Sequence, residues 1–423
     1  MLFHAPRVFM IGWEYPPHNS GGLGVACEGM TQALSGQNTQ IYFTLPYPLP
    51  TSLAHMNVMD CSDPTWFAEN GTPQPPFFAY QTQLPQPQMQ HSTFSQTGVD
   101  AHVLHALPQS ELETKVERYA ELVTSQAIQK QHAYDVVHAH DWMSFPAALK
   151  LSQSIRKPFV AHIHSTEFDR IPGGMGSSYI METEYAGMMA ATRVVAVSYY
   201  TKNVLVKEYG INPDKIDVVH NGISPLSSQE LKELNGSSTS FAPNRPVIVF
   251  MGRLTMQKGA DYFLAVAEKV IQQVPAALFV LAGDGDMYHQ LLVQNAQKGL
   301  SASLLFSGFV RDTQRSQLLN RATVFVMPSL SEPFGLVALE AAQRNTPVIV
   351  SKNTGVAEVL PSAVQVDFWD INRMSSEITR LIRSKSDNAQ QVAAQFDDLK
   401  QTTWDQTAQK MKTVYSKAFF GEV

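Results

Sequence analysis

The sequence predicts an α/β protein with two doubly wound domains, each built on a parallel sheet that helices cover on both faces. Two observations support this fold class. Short apolar runs rich in Val, Ile and Phe alternate with longer helical patterns almost throughout, which is typical of parallel strands buried on both faces. The chain of 423 residues is also longer than one hydrophobic core usually supports, so we expect two domains.

Ten apolar runs are predicted as strands, and they fall into two series along the chain. Between them, apolar residues recur at three- and four-residue spacing over residues 24–36, 260–273 and 335–344, which indicates helices. The first series of strands is 7–12, 135–140, 158–164, 193–198 and 216–221, and the second is 246–252, 277–283, 303–308, 323–329 and 347–351.

Two segments outside these series define the predicted domains. Residues 224–246 are polar, Ser-rich and interrupted by Pro and Gly, and we place the linker there. A Pro/Gln-rich segment over about 45–100 has no clean period, and we interpret it as a long insertion in the first domain. The predicted domains are therefore 1–230 and 231–400, followed by a C-terminal segment, 401–423.

The composition argues against several classes of protein. A net charge of -6 and a pI near 6.1 argue against nucleic-acid binding through bulk positive charge. The two cysteines, Cys27 and Cys61, cannot form a dense disulfide framework. The N-terminus lacks the pattern of a signal peptide, and no apolar run is long enough to span a bilayer. We therefore expect a cytoplasmic protein without a transmembrane segment.

Glycines and cations follow two of the predicted strands, where doubly wound sheets bind ligands. Gly21 and Gly22 lie in the loop WEYPPHNSGGLG before a helix; this arrangement suits an anion, although an ordinary strand-to-helix turn has the same pattern. The loop does not match the GxGxxG fingerprint, which weakens a nicotinamide reading. Arg253 and Lys258 lie in the loop GRLTMQKG; each alone would be interpreted as a solvated charge, but together they indicate a diphosphate site.

Further polar residues follow other strands. His164 ends one strand, and His140 and Asp141 end its neighbour; a lone histidine there is more often structural, but the clustering favours a site. Asp284 and Asp286 resemble a metal-binding pair, yet their Gly-rich turn explains them as turn and N-cap residues. No His/Cys cluster has zinc spacing, so we expect no metal.

Two glutamates, Glu332 and Glu340, lie eight positions apart in SEPFGLVALEAAQRNTPVIVS. An acid near a helix start can simply complement the helix dipole, so this pair indicates a site only in combination with the other loops. The combination resembles the family 4 retaining glycosyltransferases, in their glycogen/starch synthase-like branch. The matching motifs lie in the expected order and cover nearly the whole chain: WEYPPHNSGGLG, HAHDW, HIHSTEFDR, VVHNGI, GRLTMQKG, AGDGD, SGFV and SEPFGLVALEAA.

This resemblance implies a GT-B fold, in which two Rossmann-like domains face each other across a cleft and the second binds most of the donor. Residues 402–419 resemble the family's last helix, which crosses back to the first domain. The phosphate loop departs from many relatives in carrying Gln257 where they carry Glu. The segment at about 45–100 matches nothing in the family pattern, so the acceptor is the least defined partner.

The resemblance also implies a role for each site residue. Glu332 would accept a hydrogen bond from a sugar hydroxyl, and Glu340 would accept them from the ribose. At 1.5 Å of rise per helical residue, roughly 10 Å separates two such contacts, which suits opposite ends of one nucleotide-sugar. Arg253 and Lys258 would neutralise the departing diphosphate. The remaining assignments are His164 beside the anomeric carbon, Gly21, Gly22 and the backbone of Phe334, Gly335 and Leu336 at the donor, and His140 and Asp141 on the acceptor side.

The implied activity is transfer of a hexose, most simply glucose, from ADP-glucose or UDP-glucose to a glycan or small hydroxyl acceptor with retention of configuration. The two cations would replace a metal, and no cofactor is expected. A GT-B nucleotide-sugar epimerase and a non-catalytic sugar-nucleotide-binding protein remain alternatives. A NAD-dependent oxidoreductase would share the doubly wound fold but lacks its fingerprint. The base, the sugar, the acceptor and the oligomeric state are left open.

Overall fold

The computed structural model describes residues 6–18, 21–49, 52–66, 109–174, 176–236 and 241–421. Two parallel sheets with helices on both faces confirm the predicted α/β class with two doubly wound units. Residues 67–108, which include most of the predicted insertion, lie outside the described residues.

The first sheet has seven strands in the order β3-β2-β1-β4-β5-β6-β7, and every neighbouring pair is parallel. The order reverses beside β1, so the loops after β1 and β4 diverge there and leave a crevice. The strands are β1 (Val8–Ile11), β2 (Ile41–Leu45), β3 (Asn57–Asp60), β4 (Val136–His140), β5 (Phe159–Ile163), β6 (Arg193–Ala196) and β7 (Ile216–Val218).

The second sheet has six strands in the order β10-β9-β8-β11-β12-β13, again all parallel. Its order reverses beside β8, so the loops after β8 and β11 diverge in the same way. The strands are β8 (Val247–Met251), β9 (Leu278–Ala282), β10 (Leu304–Gly308), β11 (Val324–Met327), β12 (Val348–Ser351) and β13 (Val364–Val366).

All ten predicted strands are present, and β2, β3 and β13 are additional. The predicted helices at 24–36, 260–273 and 335–344 correspond to α1, α8 and α11. The helices are α1 (Gly22–Gly36), α2 (Gln109–Gln129), α3 (Phe145–Ile155), α4 (Glu167–Arg170), α5 (Ser178–Ala190), α6 (Tyr199–Tyr209), α7 (Ser228–Gly236), α8 (Ala260–Gln273), α9 (Tyr288–Gln297), α10 (Asp312–Arg321), α11 (Leu336–Gln343), α12 (Ile371–Arg383), α13 (Lys385–Leu399) and α14 (Trp404–Phe420).

The last helix, α14, packs against the first sheet although it follows the second in sequence. Its buried face joins α1 and the strands β1, β2 and β4 in one apolar cluster. Gly29 on α1 allows this close approach, because a Cβ added there would lie 2.2 Å from the indole of Trp404. Just before α14, the Thr402 carbonyl accepts a hydrogen bond from the Ile223 amide at 3.0 Å.

Direct hydrogen bonds join the two units beside the crevices. The Ser331 hydroxyl, in the loop after β11, donates to the Asp169 carboxylate at 2.6 Å and lies 2.9 Å from the Tyr200 hydroxyl. Glu358 accepts hydrogen bonds from the Tyr199 and Tyr200 amides, both at 2.8 Å, so a carboxylate of the second unit lies at the N-terminus of α6, where the helix dipole favours it. These contacts hold the two sets of loops opposite each other.

Candidate active site

A cavity of about 640 Å³ lies between the two sheets, which is in the usual range for a small-molecule site. Loops after β1, β4 and β5 form one wall, and loops after β8, β9, β10 and β11 form the other. The predicted site residues that line it are Gly21, Gly22, Asp141, His164, Arg253, Lys258, Glu332, Phe334, Gly335, Leu336 and Glu340.

Lys258 and Glu332 form an ion pair inside this cavity. The Lys258 Nζ atom lies 2.7 Å from Glu332 Oε2, and both side chains are mostly buried. Lys258 follows β8 and Glu332 follows β11, and these strands are neighbours in the sheet. Gly259 allows the two loops to lie close together. Its φ is +70°, and an added Cβ would lie 2.1 Å from the carbonyl oxygen of Pro328. The fold therefore brings a cation and a carboxylate together before any ligand binds.

Glu340 is paired with a cation that sequence reasoning missed. Arg315 on α10 donates to the Glu340 carboxylate on α11, and both residues line the cavity. Burial raises the pKa of Glu340, and the charges of Arg315 and Arg344 oppose that rise. The sequence shows Arg315 only as one of the cations that follow the SGFV loop, because its contact with Glu340 depends on how α10 packs beside α11.

Arg253 and Gln257 are hydrogen-bonded to each other in the loop after β8. An Arg253 Nη2 proton is donated to Gln257 Oε1 at 3.2 Å, and the backbone carbonyl of Gln257 accepts from the Leu330 amide at 2.9 Å. Gln257 is buried. The loop after β8 is thus fixed to the loop after β11, and Arg253 and Lys258 line the cavity within the same short segment.

Gly335 allows the chain to turn into α11 at the cavity. Its φ is +106°, and an added Cβ would lie 2.6 Å from Met327 Cε, so both the backbone and the available space require glycine. The first N–H groups of a helix lack intrahelical acceptors. Phe334, Gly335 and Leu336 line the cavity at this helix start, where an anionic ligand can accept such hydrogen bonds.

The opposite wall carries Asp141 and His164. Asp141 Oδ1 accepts from the His164 amide at 2.7 Å and from the Ser165 amide at 3.4 Å, which links the ends of β4 and β5. Asp141 has a φ of +58°, an unusual backbone conformation for a residue with a side chain and one that often occurs at functional sites. Glu14 also lines the cavity and is buried; it was not predicted, although it lies in the loop that follows β1.

His140 does not line the cavity but lies behind His164. Its side chain is fully buried, and its Nδ1 atom lies 3.0 Å from Nε2 of His164. His140 therefore has no direct contact with the cavity, and its acceptor-side assignment stays a prediction. The burial of His140 among other imidazoles follows from the strand pattern. Residues 138 and 140 of β4 and residue 162 of β5 all point to the same face of the sheet.

His140 belongs to a group of buried imidazoles. His138 Nε2 lies 3.2 Å from His162 Nδ1, and His138 Nδ1 lies 2.8 Å from the Tyr415 hydroxyl on α14. Burial lowers the pKa of His140, His162 and His164, and it lowers the pKa of His138 to about 3. These rings are therefore neutral near pH 7.

Among the described residues, His138, His140 and His162 form the one group whose geometry is compatible with metal binding, with ring nitrogens within 4.8 Å of one another. Four of their six ring nitrogens take part in hydrogen bonds with Tyr415, with His164 or within the group. Two nitrogens remain, fewer than the three or four protein ligands that zinc takes. The trio is thus a hydrogen-bonded array, and the absence of a metal in function stays a prediction.

Asp284 lines the cavity and has a local role, whereas Asp286 does not line it. Asp284 Oδ1 accepts from the Gly285 amide at 2.8 Å, as expected for a turn residue. Within the described part of the chain, no helix has both the length and the apolar character needed to cross a bilayer.

Comparisons with known proteins identify the family. The model for Glycosyltransferase Family 4 matches residues 73–225, and the model for Glycosyl transferases group 1 matches residues 232–397. An uncharacterized glycosyltransferase from Methanocaldococcus jannaschii is 30% identical over 368 residues, which cover 85% of this chain and 83% of that protein. The chain belongs to glycosyltransferase family 4.

A sequence match supports the glycogen/starch synthase-like branch for this family 4 glycosyltransferase, and a structural match shows its fold. The glycogen synthase of Mycobacterium tuberculosis is 27% identical over 362 residues, covering 84% of this chain and 80% of that enzyme. The catalytic domain of starch synthase IV from Arabidopsis thaliana, solved with ADP and acarbose, superposes with a TM-score of 0.70 at 14% identity and covers 98% of this chain and 100% of that one. The structural match shows that the two-sheet architecture is the GT-B fold.

Proposed function

We propose that this family 4 enzyme is a metal-independent, retaining hexosyltransferase that transfers glucose from ADP-glucose or UDP-glucose to a glycan or small hydroxyl acceptor. The observation that carries the proposal is the placement of two cation–carboxylate pairs, Lys258–Glu332 and Arg315–Glu340, in one cavity. The similarity to a glycogen synthase and to a starch synthase bound to ADP and acarbose supports the choice of donor and acceptor class.

In this proposal the donor lies along the wall formed by the second sheet. Glu340 accepts hydrogen bonds from the ribose hydroxyls, and Glu332 accepts one from a hydroxyl of the sugar. The diphosphate lies between them, next to Arg253, Lys258 and the first N–H groups of α11. Each part of the donor then meets a group of suitable charge: hydroxyls meet carboxylates, and phosphate oxygens meet cations and N–H groups.

The cations act on the charge that develops as the glycosidic bond breaks. Negative charge grows on the leaving diphosphate in the transition state, so cations already in place stabilise that state more than the ground state. The contact of Lys258 with Glu332 already holds the ammonium group at the cavity, so little side-chain freedom is lost when the donor binds. Arg253 and Lys258 together supply the positive charge for which other transferases use a divalent ion.

Retention is proposed to follow a front-face path, in which a leaving phosphate oxygen takes the proton of the acceptor hydroxyl. Glu332 and Glu340 bind opposite parts of one donor, so they do not act as the nucleophile and acid of a glycoside hydrolase. His164, neutral because burial lowers its pKa, would contact the transferred sugar as a hydrogen-bonding group, with its backbone carbonyl toward the oxocarbenium-like centre.

A screen of nucleotide-sugars tests this function. A preferred donor should raise the melting temperature through mass action, and incubation with oligosaccharides or simple alcohols should then release the nucleoside diphosphate. NMR of the product should show the anomeric configuration of the donor, and EDTA should leave the rate unchanged. An inverted product would contradict retention, while loss of activity with EDTA would contradict metal independence.

A further inference from the structure

His140 is buried behind His164 and has two differently placed ring nitrogens. Nδ1 lies 3.0 Å from His164 Nε2. Nε2 is buried and has no hydrogen-bond partner among the described residues. The packing holds the ring in this position, since His140 lies against His138 with ring centroids 4.2 Å apart and against Phe43 at 6.2 Å.

His164 is held on the other side of this contact. Its amide donates to Asp141 at 2.7 Å, and its ring stacks on His162 with centroids 4.1 Å apart. Because Nε2 of His164 faces His140, its other ring nitrogen, Nδ1, is the one left to interact with a ligand in the cavity that His164 lines. Neither the backbone nor the ring can turn without losing one of these contacts.

Two arrangements of protons satisfy the His140–His164 hydrogen bond. If His140 Nδ1–H donates, the unpartnered Nε2 of His140 is a bare lone pair, and His164 carries its proton on Nδ1. If His164 Nε2–H donates, the unpartnered Nε2 of His140 is a buried N–H, and Nδ1 of His164 is a bare acceptor. On the protein backbone, a buried N–H without an acceptor is rarer than an acceptor that lacks a donor. We apply the same rule to the ring, which favours the first arrangement.

We propose that His140 is a positioning residue that fixes the tautomer of His164, so that His164 presents an Nδ1–H donor to the cavity. The inference about the tautomer follows from the geometry alone. The consequence for catalysis rests on the proposed function, because there the donor group would meet a hydroxyl oxygen of the transferred sugar. His140 does this without touching the substrate.

NMR on the ligand-free protein tests the tautomer directly. Two-bond ¹H–¹⁵N correlation spectra of histidine-labelled protein distinguish the Nδ1–H form from the Nε2–H form that predominates in free histidine. The His164 signals are assigned as those missing from the His164→Asn variant. We expect the Nδ1–H form at pH 7. Finding the Nε2–H form would overturn the proposal whether or not the enzyme transfers sugar.

Two variants of His140 test the consequence for the reaction. His140→Asn places an amide N–H near the position of the imidazole Nδ1, whereas His140→Leu fills the space without a donor. His140→Leu should lower kcat about tenfold with a smaller change in the donor KM, in line with the loss of one buried hydrogen bond, and His164 should shift toward the Nε2–H form. His140→Asn should restore most of kcat and the Nδ1–H form. The exposed His289→Leu is the control.

The outcomes separate this proposal from the proposed function. Equal loss of kcat in the Leu and Asn variants, or no loss in either, would overturn the positioning role. A wild type that carries the Nδ1–H form but transfers no sugar from any nucleotide donor would support the tautomer assignment and contradict the proposed function. An active wild type with the Nε2–H form would support the proposed function and contradict the tautomer assignment.

Discussion

The two walls of the cavity differ in charge. Every Lys and Arg among the described lining residues comes from the second sheet, namely Arg253, Lys258, Arg311 and Arg315. The first sheet contributes the carboxylates of Glu14 and Asp141 and a histidine, His164, whose pKa burial lowers. A diphosphate would be attracted to one wall and repelled by the other. The second wall also carries the carboxylates of Asp284, Glu332 and Glu340, so its four cations leave a formal excess of one positive charge, whereas the two carboxylates of the first wall leave it negative. In the proposed function, this difference favours the donor's phosphates against the second sheet and its sugar facing the first.

The largest effect is expected from removing the cation that pairs with Glu332. Lys258→Ala should lower kcat by about 10²- to 10³-fold, the usual loss when one preorganised stabilising group is removed from a transition state. Steady-state kinetics with the preferred donor would measure it, and circular dichroism would verify the fold. The exposed Lys352, which pairs with Asp367, offers the control Lys352→Ala. Turnover near that of the control would remove Lys258 from the phosphate site.

A smaller effect is expected at the nucleotide end of the same wall. Glu340→Ala should weaken donor binding by about 10- to 100-fold, because hydrogen bonds to a charged group contribute about 1.5–3 kcal/mol and Arg315 would lose its partner. Calorimetry with the nucleoside diphosphate measures the change in Kd. Glu268→Ala is a matched control, since Glu268 pairs with Lys298 in a more exposed position. Unchanged affinity in Glu340→Ala would argue against the ribose contact.

The strands that carry the cavity loops were predictable from the sequence, whereas three other strands were not. The strands β1, β4, β5, β8 and β11 were predicted because continuous apolar runs are a local signal, and the loops that follow them were found by position. The strand β13 has only three residues, and β2 runs directly into the Pro-rich segment that was interpreted as an insertion. Length alone does not explain these misses, because β2 is as long as the predicted β4 and the three-residue β7 was predicted. Whether such a segment forms a strand also depends on its neighbours in the sheet.

Side-chain pairing was less predictable than position. Lys258 and Glu332 were found separately, but their contact depends on β8 and β11 being adjacent in the sheet. Arg315 was missed because nothing in its own helix shows that it faces Glu340. His140 was placed on the acceptor side, since the sequence shows that it ends a strand but not that His164 lies between it and the cavity. Local patterns thus predict which loops meet, whereas packing decides which side chains touch.

The buried histidines behind the first wall should give the protein a distinct response to acid. His138 has a folded-state pKa of about 3, below the usual value near 6.5 of the unfolded chain. The unfolded state therefore binds a proton that the folded state refuses, so stability is lost as the pH falls below about 6.5. At pH 5 the protonation of His138 in the unfolded state lowers the free energy of unfolding by about 2 kcal/mol. Urea unfolding at pH 7 and pH 5 measures it.

A variant that cannot titrate checks the source of that acid sensitivity. His138→Asn should be less stable than wild type at pH 7, because it loses the contacts with Tyr415 and His162, but its stability should fall less between pH 7 and pH 5. Replacing the exposed His289 by Asn should leave the pH dependence unchanged. An unaltered slope in His138→Asn would mean that other groups account for the acid sensitivity.

The smallest predicted effect comes from replacing Gln257, in the wall formed by the second sheet, with the Glu that many relatives carry. Gln257 accepts a hydrogen bond from Arg253, and Gln257→Glu would keep that geometry while placing a negative charge beside the phosphate site. Donor affinity should fall by roughly two- to fivefold, the scale of one modest ion-pair interaction, with kcat less affected. Because salt screens such charges, the difference between the variant and the wild type should shrink between low and high ionic strength. A salt-independent difference would indicate that the substitution acts through loop geometry. It would also weaken the conclusion that positive charge distinguishes the wall of the second sheet from the wall of the first.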